Sequence, residues 1–133
     1  MPVELEIVSP EKLLLSRPVE MVVLPAYEGE MGVLPGHSPM IVLLRGGMIR
    51  LYEGGVVKEQ LYVSGGFAEV TPERVTVLAT EAIPSGEVSK AEGERRMAAA
   101  EADYDAADKA DVTSLDVAMD KIQSARAMVD AAA

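Results

Sequence analysis

The chain contains no cysteine and no tryptophan, and only one phenylalanine and one histidine. Without cysteine there are no disulfides and no thiolate metal centres, a usage compatible with a reducing compartment. With a single imidazole, any catalytic triad or zinc site has to be built on His37, and the carboxylates close to it in sequence are Glu28 and Glu30. Aromatic residues make up 4% of the chain against 49% hydrophobic overall, so the core must be aliphatic, filled by Val, Leu, Ile and Met. No apolar run approaches the roughly 20 residues that cross a bilayer. The opening Met-Pro-Val-Glu-Leu-Glu lacks both the basic and the apolar region of a secretory signal. Basic residues are scarce as well, 12 against 22 acidic, for a formal charge of −10. That balance argues against capture of nucleic acid or anionic lipid by a basic patch. Any membrane association has to run through a protein partner, without direct insertion. Residues 1–85 and 86–133 each carry eleven acidic and six basic side chains, so the acidity is not a charged tail.

What is present divides the chain in two. Val3, Leu5 and Ile7 alternate with Glu4 and Glu6, the period of a half-buried strand. Lys12 to Ser16, Val19 to Leu24, Met40 to Leu44, Met48 to Tyr52, Val56 to Ser64 and Arg74 to Ala79 continue the series, separated by turn signals at Ser9-Pro10, Gly46-Gly47, Gly54-Gly55, Gly65-Gly66 and Thr71-Pro72. Short strands at this spacing predict an all-β sandwich or barrel over residues 1–85. After Ile83-Pro84-Ser85-Gly86 there is no further proline, alanine dominates, and Gly93 is the last glycine. Ser89 with Glu92 matches a capping box, and Thr113 with Asp116 a weaker variant of it. Helices are expected at about Ser89 to Ala107 and Ser114 to Ala131, joined by Asp108 to Val112. Met97, Ala100, Tyr104 and Ala107 in the first, and Leu115, Ala118, Ile122, Ala125 and Val129 in the second, recur at three and four. These narrow stripes predict an antiparallel helical hairpin over 86–133. Alanine buries little area, and Gly93 costs about 1 kcal/mol of helix propensity, so the hairpin is expected to need docking onto the sandwich or onto a partner.

The segment Tyr27 to Pro39 concentrates three glycines, two prolines and His37, and reads as one structured loop between strands. It has no Gly-Lys-Ser/Thr ending and opens no helix, so it is no phosphate loop. His37 between Gly36 and Ser38 reads as a turn histidine or a protein contact rather than a catalyst, and Glu28 and Glu30 as solvated loop carboxylates or partner contacts. No nucleophile–base pairing is present, which argues against an independent enzyme. A sugar-binding sandwich would require exposed aromatics on a concave face, and four Tyr with one Phe supply few.

That segment, followed by Leu44-Arg45-Gly46-Gly47-Met48-Ile49-Arg50 and Tyr62-Val63-Ser64-Gly65-Gly66-Phe67, resembles the epsilon subunits of bacterial F-type ATP synthases. The resemblance implies a flattened sandwich of two five-stranded sheets followed by a helical hairpin. It also implies a non-catalytic subunit of the rotary proton-transporting enzyme, seated in the central stalk. There it would couple proton flow through the membrane c-ring to ATP synthesis, bound to the gamma subunit and to the polar loops of the c-ring. By the same resemblance Glu28, Gly29, Glu30, Gly32 and His37 lie where the c-ring is met. The implied location is peripheral, on the cytoplasmic face of a bacterial inner membrane.

An alternative function in the same assembly is regulatory. Some members bind ATP or extend the hairpin against the alpha and beta subunits to inhibit hydrolysis. Their nucleotide motif, Ile/Leu-Asp-x-x-Arg-Ala, corresponds here to Val88-Ser89-Lys90-Ala91-Glu92-Gly93. Ser89 replaces the Asp and Glu92 the Arg, placing a carboxylate where a phosphate-facing cation belongs. Arg95 and Arg96 remain nearby as candidate nucleotide contacts. No cofactor is expected, and ATP binding is expected to be weak or absent. Residues 113–133 carry Asp116, Asp120 and Asp130 against Lys121 and Arg126, whereas inhibitory hairpins commonly carry basic residues there.

Overall fold

The computed structural model describes residues 2–132. Ten strands come first: β1 (Val3–Val8), β2 (Leu13–Val19), β3 (Met21–Ala26), β4 (Gly29–Val33), β5 (Met40–Leu44), β6 (Gly47–Glu53), β7 (Val56–Val63), β8 (Gly66–Val70), β9 (Arg74–Ala79) and β10 (Ala82–Pro84). A short 3₁₀ turn at Ser85–Glu87 leads to helices α1 (Lys90–Ala106) and α2 (Val112–Ala131).

The strands form two five-stranded layers. In one the path runs β10-β7-β6-β3, with β4 on the free edge of β3; in the other it runs β5-β8-β9-β1-β2. Pairing is antiparallel except between β1 and β9. The layers join at one corner, where Ala26 faces Leu44 and the backbone bonds Tyr27 N–H to Leu43 O (3.1 Å) and Arg45 N–H to Pro25 O (2.9 Å) carry the connection. Across the opposite seam Arg17 of β2 pairs with Glu59 of β7 at 2.8 Å. The inward residues of both layers, among them Val3, Leu5, Ile7, Leu24, Ile49, Leu51 and Val77, make one aliphatic core. The predicted sandwich and hairpin are thus both present.

Several local expectations change. The supposed loop 27–39 contains β4: only Tyr27 and Glu28 form the turn, and Gly29–Val33 pair with Val22–Ala26. Its two glycines hid the strand, because they break the apolar alternation that marks one. Phe67–Val70, assigned to no element from sequence, is β8 between β5 and β9. Ala82–Pro84, past the last strand expected from sequence but within the expected sandwich, is an edge strand on β7, a position that tolerates proline. In α2 the cap is Asp111, not Thr113: its carboxylate accepts from the Ser114 N–H at 3.3 Å and the Ser114 hydroxyl at 2.8 Å, so the helix starts at Val112. Ser89 does cap α1, accepting from Glu92 N–H at 3.1 Å, but the Glu92 side chain turns to Arg95 and Arg96.

The helices meet along the expected stripe, with Ala100, Ala118, Ala125 and, in addition, Met128 buried. Gly93 is part of that seam. A Cβ there would stand 2.9 Å from Val129 Cγ2 and 3.0 Å from its amide nitrogen. The close approach, not indifference to helix stability, accounts for the glycine.

Candidate partner-binding surfaces

Three surfaces are assembled by this fold. The first is the β3–β4 tip. Glu28 occupies the two-residue turn and Gly29 takes φ +131°, a conformation L side chains avoid, with open space around it. Glu30 is exposed one residue into β4 and pairs with Arg50 of β6. Gly32 faces Val23 in the ladder, beside the Met21 sulfur. His37 is elsewhere. It follows the far end of β4, roughly 13 Å of strand from the tip, and its Nδ1 lies 2.8 Å from the adjacent Ser38 carbonyl. Its loop is tied to the β8–β9 turn by Gly36 N–H to Pro72 O at 2.8 Å. The five residues grouped from sequence therefore form two separate places.

The second surface was not singled out from sequence. On the outer face of β5, β8 and β9, Leu43, Phe67 and Leu78 stand in register across the three strands, 64%, 41% and 39% exposed, with Ile41 beside them at 69%. A solvated sheet face should be polar. The signal lay in Met40-Ile41-Val42-Leu43-Leu44, an unbroken apolar run that leaves a strand apolar on both faces.

The third is the seat of the hairpin on the sandwich, and it is polar. Gln123 donates to Gly46 O at 2.6 Å and accepts from Gly46 N–H at 3.0 Å. Tyr62 donates to Ser124 O at 2.7 Å, and Ser124 Oγ donates to Ser64 O at 3.0 Å. Arg96 makes a two-pronged pair with Glu81, 2.6 and 3.0 Å. That hydrogen bonding holds Glu81 below the usual carboxylate range despite partial burial, so its contribution is present above the ordinary value and is lost in acid. A cleft of about 410 Å³ between both helices and β7 is lined by Arg95, Arg96, Asp103, Asp120 and Lys121 among others. Both arginines are committed there: Arg96 to Glu81, and Arg95 to Glu92 through Nε at 3.0 Å to each oxygen. Among the described residues no group of three or more His, Asp or Glu is arranged to hold a metal ion, and no helix is long and apolar enough to cross a membrane.

Tyr62 makes the seat sensitive to alkali. Burial, opposed by Arg96 and reinforced by Glu81, pushes its phenol up to about 12 from an ordinary value of 10.0. The neutral form is thus favoured in the folded state, and its contribution is complete below the ordinary value and lost as pH rises through the raised one. The hairpin is expected to detach between about pH 10 and 12, followed by NMR of the Ala118, Ala125 and Met128 methyl groups. Tyr62→Phe should weaken docking by about 1 kcal/mol and flatten that pH dependence. An unchanged alkaline limit would count against Tyr62 as its source.

Comparison with known proteins closes the question of family. Residues 2–85 match the profile described as "ATP synthase, Delta/Epsilon chain, beta-sandwich domain". The ATP synthase epsilon chain of Granulibacter bethesdensis is 67% identical over 128 residues, covering 96% of this chain and 95% of that one. The chain belongs to the ATP synthase epsilon family. The epsilon chain of Gluconacetobacter diazotrophicus is 46% identical over 132 residues, 99% of this chain and 94% of its relative. In the Euglena gracilis mitochondrial ATP synthase, solved with OSCP, F1 and c-ring, one chain superposes with a TM-score of 0.73 at 29% identity, covering 95% of this chain and 80% of its own length. A chain from the Tetrahymena thermophila central stalk and c-ring shares the fold, TM-score 0.68 at 12% identity over 100% of this chain and 98% of that one. Epsilon-family membership makes this a non-catalytic subunit of the ATP synthase.

Proposed function

We propose that this subunit docks the apolar face of β5, β8 and β9 against the gamma subunit and turns the Glu28–Glu30 tip toward the polar loops of the c-ring. The complex then lies on the cytoplasmic face of a bacterial inner membrane and couples proton flow to ATP synthesis. The observation that carries this reading is the in-register row Leu43, Phe67 and Leu78, exposed on a sheet face that water alone would make polar. The tip supports the second contact. Glu28 is free at the turn, and Glu30 is steadied by Arg50, so the carboxylates are presented by a short edge hairpin rather than by a flexible loop.

The test is Phe67→Asp. The side chain is on the outside, so folding should be retained, while a charge in the middle of an apolar contact should weaken binding to purified gamma by at least about 100-fold. Wild-type affinity in that variant would place the gamma contact elsewhere. We further propose that the docked hairpin is not an ATP sensor. The helix start offers Ser89 and Glu92 in place of the family's Asp and Arg, and Arg95 and Arg96 are already engaged by carboxylates. A submillimolar dissociation constant for ATP would overturn this.

A further inference from the structure

The tip and the helical hairpin, far apart in sequence, are tied together. The Tyr27 hydroxyl donates to Asp120 Oδ2 at 3.0 Å, across 93 positions of sequence. Tyr27 is the first residue of the two-residue turn, so this bond acts on the peptide unit that carries Glu28. Asp120 lies one helical turn before Gln123 and Ser124, whose bonds to Gly46, Ser64 and Tyr62 seat α2. A second route reaches the same place from below. Gly46 is clasped by Gln123, and Gly47 lies so close to β3 that a Cβ on it would stand 2.7 Å from Pro25 Cβ. Arg45 N–H in turn bonds Pro25 O at 2.9 Å. Both routes converge on residues 25–28.

Apart from the β3 ladder and the Glu30–Arg50 pair, the turn itself has few supports. β4 is an edge strand paired only with β3, and nothing approaches Gly29 within 4 Å of where a Cβ would be. We propose that Tyr27 and Asp120 are positioning residues that keep the Glu28–Glu30 tip ordered while the hairpin is docked, so that release of the hairpin loosens the tip. The tether is a property of this chain alone. Its consequence for coupling rests on the reading of the tip as the c-ring contact.

Hydrogen exchange of residues 28–32 in the full chain tests it. Tyr27→Phe and Asp120→Ala should each raise exchange there about three- to ten-fold, with no further rise in the double variant, while β9 stays as in the parent. Asp120→Asn should restore the parent rate, because its amide oxygen accepts the same hydroxyl. Gly46→Ala, which displaces α2 but leaves Tyr27 and Asp120 intact, should reproduce the loosened tip. Parent exchange at the tip in Tyr27→Phe or in Gly46→Ala, or additive effects of the two single substitutions, would overturn the proposal. ATP-driven proton pumping by the reassembled membrane enzyme separates the two layers of the argument. A loosened tip with unchanged pumping supports the tether and removes the tip from the c-ring contact.

Discussion

Gly66→Ala is expected to destabilise the sandwich severely, with a loss above about 4 kcal/mol out of the 5–15 kcal/mol typical of such domains. Two costs coincide at this position. Its φ of +127° is one that L residues rarely adopt. Its missing side chain also leaves room for β9: a Cβ would stand 2.2 Å from Leu78 O and 2.9 Å from Ala79 Cα. Both contacts are backbone, so relief requires separating β8 from β9, and with them the buried Ala68, Val70, Val75, Val77 and Ala79. Gly54→Ala is the control. It has φ +62° with nothing within 4 Å, so it should cost only the conformational penalty of about 1–2 kcal/mol. Urea denaturation of the two variants measures the difference. A loss at Gly66 no larger than at Gly54 would mean that the close approach of β8 and β9 contributes nothing.

Gly46→Ala is expected to lift the helical hairpin while leaving the sandwich folded. A Cβ there would meet Ser124 at 2.5 Å from Cα, 2.7 Å from Oγ and 2.8 Å from Cβ. The Oγ could rotate away, but Cα and Cβ can move only with α2. Displacing α2 severs the Gln123–Gly46 pair and the bonds of Ser124 to Tyr62 and Ser64 together. The sandwich core contains no residue of either helix, so its unfolding midpoint should change little. Amide exchange in α1 and α2 should rise by about 100-fold or more, and trypsin should gain access at Lys90 and Arg95. Gln123→Ala deletes hydrogen bonds without a clash and should give a smaller rise of about ten-fold. Equal exchange in the parent and Gly46→Ala would mean that this turn does not seat the hairpin. In the reassembled soluble head, the same variant reports on the regulatory alternative. Hydrolysis that changes when the hairpin is released identifies it as a brake, and an unchanged rate leaves a structural and coupling role.

The sequence by itself determined whatever is written in neighbouring residues. The alternation of Val3, Leu5 and Ile7 with Glu4 and Glu6 places β1's buried face, because side chains of a strand point to opposite sides in turn. Ser89 marks the start of α1, since a hydroxyl before a helix can satisfy an orphan N–H. The stripe through Ala100, Ala118 and Ala125 marks where the helices touch. The family was legible too, in the Gly- and Pro-rich segment and the two glycine pairs that follow it.

The tertiary structure decided what depends on residues distant in the chain. β4, with two glycines in five residues, is a strand only because β3 offers it a ladder. Phe67–Val70 is a strand because β5 and β9 flank it, and its outward side chains become a surface only when Leu43 and Leu78 arrive beside Phe67. Gly46 reads as an ordinary turn residue until Ser124 is brought against it, and Gly93 as a flaw in a helix until Val129 is. Tyr27 and Asp120 carry no local signal at all. Their meaning is a single hydrogen bond between chain segments that only folding makes neighbours.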